Sequence, residues 1–396
     1  MTIISAVEIG RLTRRLPTTY WIFTLLCFLA SPLAAKPRAR DLGIPFRGAT
    51  GPLNAITDVS GVEVGQVSIL RGKGKKGEMH PARTGVTVVF PTGRKKMTSV
   101  PASWDTYNAY GDMTGLLWLQ DSGLLSGPVA LTNTYSVGVV RDSIIKWVHE
   151  RFPNLSENDM PLPVVGETDD SWVNDIDSHW VEKSHVYEAL DHATGGPVAE
   201  GNIGAGTGTV TFRFKSGMGT SSRKIEGGYM VGVLVQSNFG LRTDMEVAGV
   251  PVGLELEKVK LPIENPLPKR DGSICVILAT NAPLLPHQMK RLVRHVSAGM
   301  VRSGGIGRTS SGDLFVGFST ALPQTDAQGI QHWASLANDR LDPVFEGAVW
   351  ATEEAIINAL VAAEDMSGTN GNTYFAVPHD QLIAAMKKYN RLRPGK

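Results

Sequence analysis

The chain of 396 residues is 42% apolar and 19% charged, which excludes a disordered tail or a fibre and leaves a globular protein of one or two compact units. Its formal net charge of +1 supplies no field that would gather a polyanion, so no nucleic-acid partner is expected.

The first 35 residues differ in character from the rest. Arg11, Arg14 and Arg15 precede an apolar run over 21–29, and small residues follow, ending in Ala34 and Ala35. This is the layout of an export signal. The run is shorter than the ~20 residues a membrane-spanning helix needs. Residues 1–35 are therefore expected to be a signal peptide, placing the protein outside the cytoplasm, in the periplasm, with no membrane association after removal. Of the two cysteines, Cys27 lies in this segment, which leaves Cys275 as a lone thiol in the mature chain and no internal disulfide.

Residues 56–90 read as short strands around a basic glycine loop, "RGKGKKGEMH". Next, "PVALTNTYSVGVVRDSIIKWVHERF" passes from an extended apolar run to helical spacing, with Val140, Ile144, Trp147 and Val148 on one face. A group of carboxylates follows the short strand in "LPVVGETDDSWVNDID", and a second helix is expected over 184–194. The glycines of "GNIGAGTGTVTFRF" precede an alternating strand pattern rather than a helix, which rejects a dinucleotide-binding loop. Strand "GYMVGVLVQSNFG" comes before a proline-rich, charged stretch, "LEKVKLPIENPLPKRDG", expected to be an exposed linker ending at Gly272. Beyond it lie the strand "SICVILAT", an amphipathic helix over 285–302, the strand "LFVGFST", and helices near 343–363 and 379–389. Strands and helices on both sides of the linker predict sheets covered by helices in layers.

The Gly272-Ser273 junction places a hydroxyl where an exposed segment meets a buried strand. A hydroxyl so held can attack the preceding carbonyl, and hydrolysis of the resulting ester frees an N-terminal serine. Its α-amine, with an ordinary pKa of about 7.7 to 8.0, is suited to act as a base near neutrality. Taken alone, the dipeptide is better read as a common turn before a strand.

The blocks "ITDVSGVEVGQV", "ALTNTYSVGVVRD", "EGNIGAGTG", "VGVLVQSNFG", "DGSICVILATNAPLLPHQMKRL", "SSGDLFVGFSTA" and "GTNGNT" resemble, in order, those of the β-aminopeptidases, also described as L-aminopeptidase/D-amidases. These are self-processing N-terminal serine hydrolases of peptidase family S58. The likeness runs from about residue 50 to 390. It implies cleavage between Gly272 and Ser273, with Ser273 as nucleophile. It also implies a relay through Ser311 and Asp313, an oxyanion donor in Asn238, and a carboxylate, Glu167, that grips the substrate's free amino group. Some members carry a tyrosine two positions after this glutamate, where this chain has Asp169. Oxyanion stabilisation from that side is thereby open, and the D-amidase specificity is not carried over.

His179, His185 and His192 lie near Asp170, Asp175 and Asp177, but their spacing fits neither a helical zinc pair nor a calcium loop, so no metal or other cofactor is expected. The expected fold is α+β, a layered αββα sandwich. Its chain would be processed into 36–272 and 273–396 around one core, after removal of 1–35. The expected activity is release of N-terminal residues, β-amino acids included, from short peptides, amides or esters. The resemblance further implies a tetramer of processed heterodimers. The alternatives are a self-processing N-acyltransferase, whose nucleophile is threonine, and a non-catalytic exported binding protein on the same scaffold.

Overall fold

Two strands from the glycine-loop region open the structure: β1 (Glu63–Arg71) and β2 (Ala82–Phe90) pair antiparallel, Val67 facing Val86. In the computed structural model, which describes residues 36–155, 161–264 and 272–393, residues 36–396 group as one unit. The signal-peptide reading of 1–35 and the stretch 265–271 of the proline-rich linker, just before Gly272, fall outside the described residues. The hairpin continues into a four-stranded sheet of order β1-β2-β5-β6, where β5 (Val129–Asn133) and β6 (Val164–Thr168) run parallel.

The second sheet has six strands in the order β4-β3-β12-β11-β10-β9. They are β3 (Val100–Ala109), β4 (Leu124–Leu125), β9 (Met218–Ile225), β10 (Tyr229–Phe239), β11 (Gly272–Thr280) and β12 (Gly312–Ser319). Between the sheets in sequence lies a two-strand ribbon, β7 (Val210–Thr211) and β8 (Phe214–Lys215). The alternation of "TVTFRF" predicts one continuous strand. The chain instead reverses at Phe212 and Arg213, both at positive φ (50° and 59°), and Phe212 and Phe214 are buried together in one hydrophobic cluster.

Seven α-helices are described: α1 (Leu116–Ser122), α2 (Val137–Arg151), α3 (Lys183–Asp191), α4 (Val252–Glu255), α5 (Pro286–Arg302), α6 (Asp342–Val361) and α7 (His379–Lys388). The stripe Val140, Ile144, Trp147 and Val148 of α2 packs with α3 on Val86 and Val88 of the four-stranded sheet. Helices α5 and α6 cover the other sheet, Met289, Leu292 and Val293 meeting Ile274, Val276 and Leu278. Between the sheets, Val64, Val89 and Leu131 face Cys275, Ile277 and Val316. The layers are thus α/β/β/α, and residues from both sides of Gly272 interdigitate in the same core. Each such fully buried aliphatic side chain contributes about 1.5–3 kcal/mol.

The sequence pattern misses β3, since only its first three residues are buried and the rest of the strand is polar and partly exposed. The described start of the linker is also better anchored than its composition predicts. Ile263 bridges Thr373, and the buried Glu264 pairs with Arg213 at 3.4 Å. Gly272 belongs to the strand: it opens β11, buried, rather than closing the exposed segment.

Candidate active site

Strand β11 runs parallel to β12 and antiparallel to β10, so its backbone is held from both edges. Its side chains alternate, with Ile274 and Val276 turned to the helices and Cys275 and Ile277 to the layer between the sheets. By the same alternation Ser273 faces the inter-sheet side. There it borders a cavity of about 440 Å³ lined also by Tyr110, Gly111, Thr134, Tyr135, Glu167 and Asp169. Gly272 has φ of +94°, and a Cβ added there would lie 1.9 Å from the Asn238 carbonyl oxygen. Only glycine fits the position preceding the serine.

Ser311 immediately precedes Gly312, the register partner of Ser273 on β12. Its buried hydroxyl donates to Asp313 Oδ1 at 2.5 Å. With its single proton given to the carboxylate, the Ser311 oxygen has lone pairs left to accept from a neighbouring donor. Strand β3 holds this loop: Asn108 Nδ2 donates to the Ser311 carbonyl, Tyr110 N donates to the same oxygen at 3.2 Å, and Thr106 Oγ1 donates to the Asp313 carbonyl at 2.9 Å. An ion pair between Arg308 and Asp244 at 2.7 Å ties down the approach to it.

Asn238 pairs with Ser273 across β10 and β11, and directly opposed residues put their side chains on one face of a sheet. The amide is fully buried, just behind the cavity wall. Its Oδ1 accepts from Val210 N at 2.8 Å, and its Nδ2 donates to the Asp169 carbonyl at 2.8 Å. A primary amide carries two N–H bonds, so one remains after the bond to Asp169.

Glu167 reaches the cavity from β6, in the opposite sheet. It is only 3% exposed, with Oε1 accepting from Asp112 N at 2.9 Å and Oε2 from the Thr134 hydroxyl. Burial pushes its carboxyl above the ordinary glutamate range, while the Thr134 and Asp112 donors hold it back. An ammonium entering the cavity would supply the missing positive charge. Gly111 allows the strap over this carboxylate, since a Cβ there would lie 2.9 Å from Oε1. Asp169 also borders the cavity and accepts from Ser171 N at 2.9 Å.

This arrangement gathers Ser273, Glu167 and Asp169 around one cavity, with Asn238, Ser311 and Asp313 packed behind Ser273. The model of peptidase family S58 matches residues 54–374. The chain belongs to peptidase family S58. It is 48% identical, over 92% of its length and 95% of the relative's, to the β-peptidyl aminopeptidase BapA of Sphingosinicella microcystinivorans. The structure of the L-aminopeptidase D-Ala-esterase/amidase from Ochrobactrum anthropi, described as a prototype for the serine aminopeptidases and a variant of the Ntn hydrolase fold, superposes with a TM-score of 0.84 at 41% identity. It covers 90% of this chain and all of its own. A Burkholderia sp. β-aminopeptidase gives a TM-score of 0.83 at 40% identity over the same shares. The layered α+β architecture is that of the Ntn hydrolase-like serine aminopeptidases.

In this S58 chain, residue-by-residue reading of the sequence leaves unassigned Thr134, Tyr135, Tyr110, Asp112 and Trp172, all on the cavity wall. The only signal for the first two was the turn "TNTYS" at the end of β5, where loops carry function. The histidines go elsewhere: His179 stacks on Tyr135 at 5.9 Å, His185 Nδ1 accepts from Glu182 N, and His192 meets the Glu188 carbonyl. Among the described residues no group of three His, Cys, Asp or Glu side chains is placed to hold a metal ion. No described helix is long and apolar enough to cross a membrane.

Proposed function

We propose that this serine aminopeptidase cleaves its own chain between Gly272 and Ser273 and then uses the freed Ser273 as nucleophile. The observation that carries the proposal is the cavity itself, with the Ser273 strand start on one side and the buried Glu167 carboxylate from the other sheet on its wall.

In processing, Ser273 Oγ attacks the Gly272 carbonyl carbon, the peptide C–N bond breaks, and an ester to Gly272 forms as the Ser273 amine is released. Water hydrolyses the ester, leaving a Gly272 carboxylate and an N-terminal serine. In turnover, Glu167 holds the ammonium of a short peptide, amide or ester. The Ser273 amine takes the Oγ proton as Oγ attacks the first carbonyl, and returns it to the leaving amine. Ser311, bonded to Asp313, orients this centre, and the remaining Nδ2–H of Asn238 stabilises the oxyanion, worth about 3 kcal/mol in the transition state. Water then releases the acyl group. The names of the similar enzymes support β-amino acids as one class of N-terminal residue. Asp169, in place of a tyrosine, adds negative charge to the cavity and favours substrates with positive charge near the amino terminus.

The pattern of residues 1–35 supports export to the periplasm, and the family supports a tetramer of processed heterodimers. The test is a denaturing gel of the purified protein beside Ser273→Ala. Products of about 25 and 13 kDa are expected, the smaller opening with "SICVIL", and a single band for the variant. Processed enzyme should release p-nitroaniline from β-homoglycine p-nitroanilide and not from its N-acetyl derivative. An intact wild-type chain, or equal rates on the two substrates, would overturn the proposal.

A further inference from the structure

Lys215, on β8, is completely buried, and no carboxylate of the described residues stands within ion-pair distance of it. Asp170 acts on it only at longer range. An amine in such a place is costly to desolvate, and an apolar side chain of the same length would fill the space without that cost. What Lys215 does have is two carbonyls: Nζ donates to Thr209 O at 2.7 Å and to Ser216 O at 2.5 Å. Burial pulls the amine well below the lysine range, and its N–H bonds serve the two carbonyls.

The Thr209 carbonyl belongs to the same peptide unit as the Val210 N–H, and that N–H donates to Asn238 Oδ1 at 2.8 Å. A peptide unit is planar, with its C=O and N–H directed to opposite sides, so a group that fixes the carbonyl fixes the N–H. Ser216 N reinforces the same carbonyl at 3.2 Å, and Lys215 N anchors the ribbon to the Phe375 carbonyl at 2.8 Å. We infer that Lys215 is a positioning residue for the Asn238 amide, acting through the Thr209–Val210 peptide to keep Oδ1 turned away from Ser273 and Nδ2 available to the oxyanion.

The two ends of an asparagine amide have the same shape and opposite polarity. Were the amide to rotate by half a turn, a carbonyl oxygen would replace the donor, and the developing oxyanion would meet a lone pair instead of an N–H. The bond from Val210 N is compatible with one orientation alone, since Nδ2 in that position would oppose donor to donor. Lys215 loads the far end of the peptide that enforces the choice, and hydrogen bonds in series strengthen one another.

This inference rests on Asn238 being the oxyanion donor, and a double-mutant cycle separates the two claims. Lys215→Met, Asn238→Ala and the double variant are compared with wild type, both for self-cleavage of the full chain followed by gel and for kcat and KM of the processed enzyme. Asn238→Ala should lower the rate by ~10²–10³-fold. Lys215→Met should lower kcat at least ~10-fold with KM within ~2-fold, and the double variant should be no slower than Asn238→Ala. Lys215→Gln, which restores one N–H to Thr209, should recover most of the lost rate, and it carries the test if Lys215→Met does not fold. Multiplicative losses in the double variant, or a rise in KM at unchanged kcat, would overturn the role of Lys215 alone. A wild-type rate for Asn238→Ala would overturn the oxyanion reading and this inference with it.

Discussion

Replacing Gly272 by alanine isolates the geometry of the proposed cleavage site from its chemistry. The added Cβ would sit 1.9 Å from the Asn238 carbonyl oxygen and 2.9 Å from its carbon, so β11 must move off β10 by more than ~1 Å to restore van der Waals contact. The φ of +94° adds about 1–2 kcal/mol for any residue with a Cβ, and overpacking between strands adds about 1–3 kcal/mol. A loss of about 2–5 kcal/mol is therefore expected. Introduced into Ser273→Ala, where self-cleavage is expected to be blocked, the substitution should lower the unfolding free energy read from urea denaturation by that amount, because both proteins compared are then uncleaved. Introduced into the wild type, it should slow self-cleavage by ~10²-fold or more, since the attacked carbonyl is displaced by about 1 Å. Unchanged stability in the first background together with wild-type cleavage in the second would refute the reasoning.

Glu167→Gln keeps the shape and the Asp112 bond but removes the charge, so KM for substrates with a free amine should rise at least ~10-fold while self-cleavage, which needs no ammonium, proceeds. Because burial raises the Glu167 carboxyl above its ordinary value, KM of the parent enzyme should climb as pH falls through that raised pKa, and this dependence should vanish in the variant. Asp170, fully buried and pushed up to about 7 by desolvation, keeps a proton in the folded chain that the unfolded chain, with a pKa of about 3.9, has already lost. The fold therefore loses stability as pH rises from about 4 to about 7, by as much as about 4 kcal/mol, and urea midpoints of Asp170→Asn should lack this fall. Gly166→Ala places a Cβ 2.8 Å from Met113 Cε and 3.0 Å from Cys275 Sγ, pushing β6 away from β11. The ratio of kcat/KM for β-homoalanine over alanine p-nitroanilide should rise, and a uniform loss on both would contradict the placement of the seam.

The elements that periodicity made legible are those whose burial is one-sided and continuous. The α5 stripe of Met289, Leu292, Val293, Val296 and Met300 and the unbroken apolar run of β11 both appear where the residues predict them. Strand β3 was hidden because most of its length is polar and it is placed by pairing with β12, a partner two hundred residues away. The same long-range pairing conceals the support of the Ser311 loop by Thr106 and Asn108. Glu167, Asn238, Ser311 and Asp313 could be named only from family likeness, because nothing in their local sequence separates them from turn residues. Lys215 was lost inside an alternating pattern, since two successive residues at positive φ fold that pattern back on itself and no composition rule anticipates a Phe-Arg turn.

Among the polar links that cross the seam between the sheets, two bear directly on how the site holds its dimensions. Cys275 Sγ donates to the Glu167 carbonyl at 3.2 Å, and Asn238 Nδ2 donates to the Asp169 carbonyl at 2.8 Å. Each joins the segment that carries Glu167 to a strand that carries, or faces, Ser273. The span from Glu167 to Ser273 is therefore set by sheet-on-sheet packing rather than by a loop. A β-amino acid interposes one more methylene between amine and carbonyl than an α-amino acid does, so under the proposed roles of Glu167 and Ser273 that span is the quantity expected to select between them. Close-packed interiors resist change on the scale of a methyl group. Selectivity for backbone length is thus expected to respond to small residues of the seam, Gly166 and Cys275 among them, that lie outside the cavity lining.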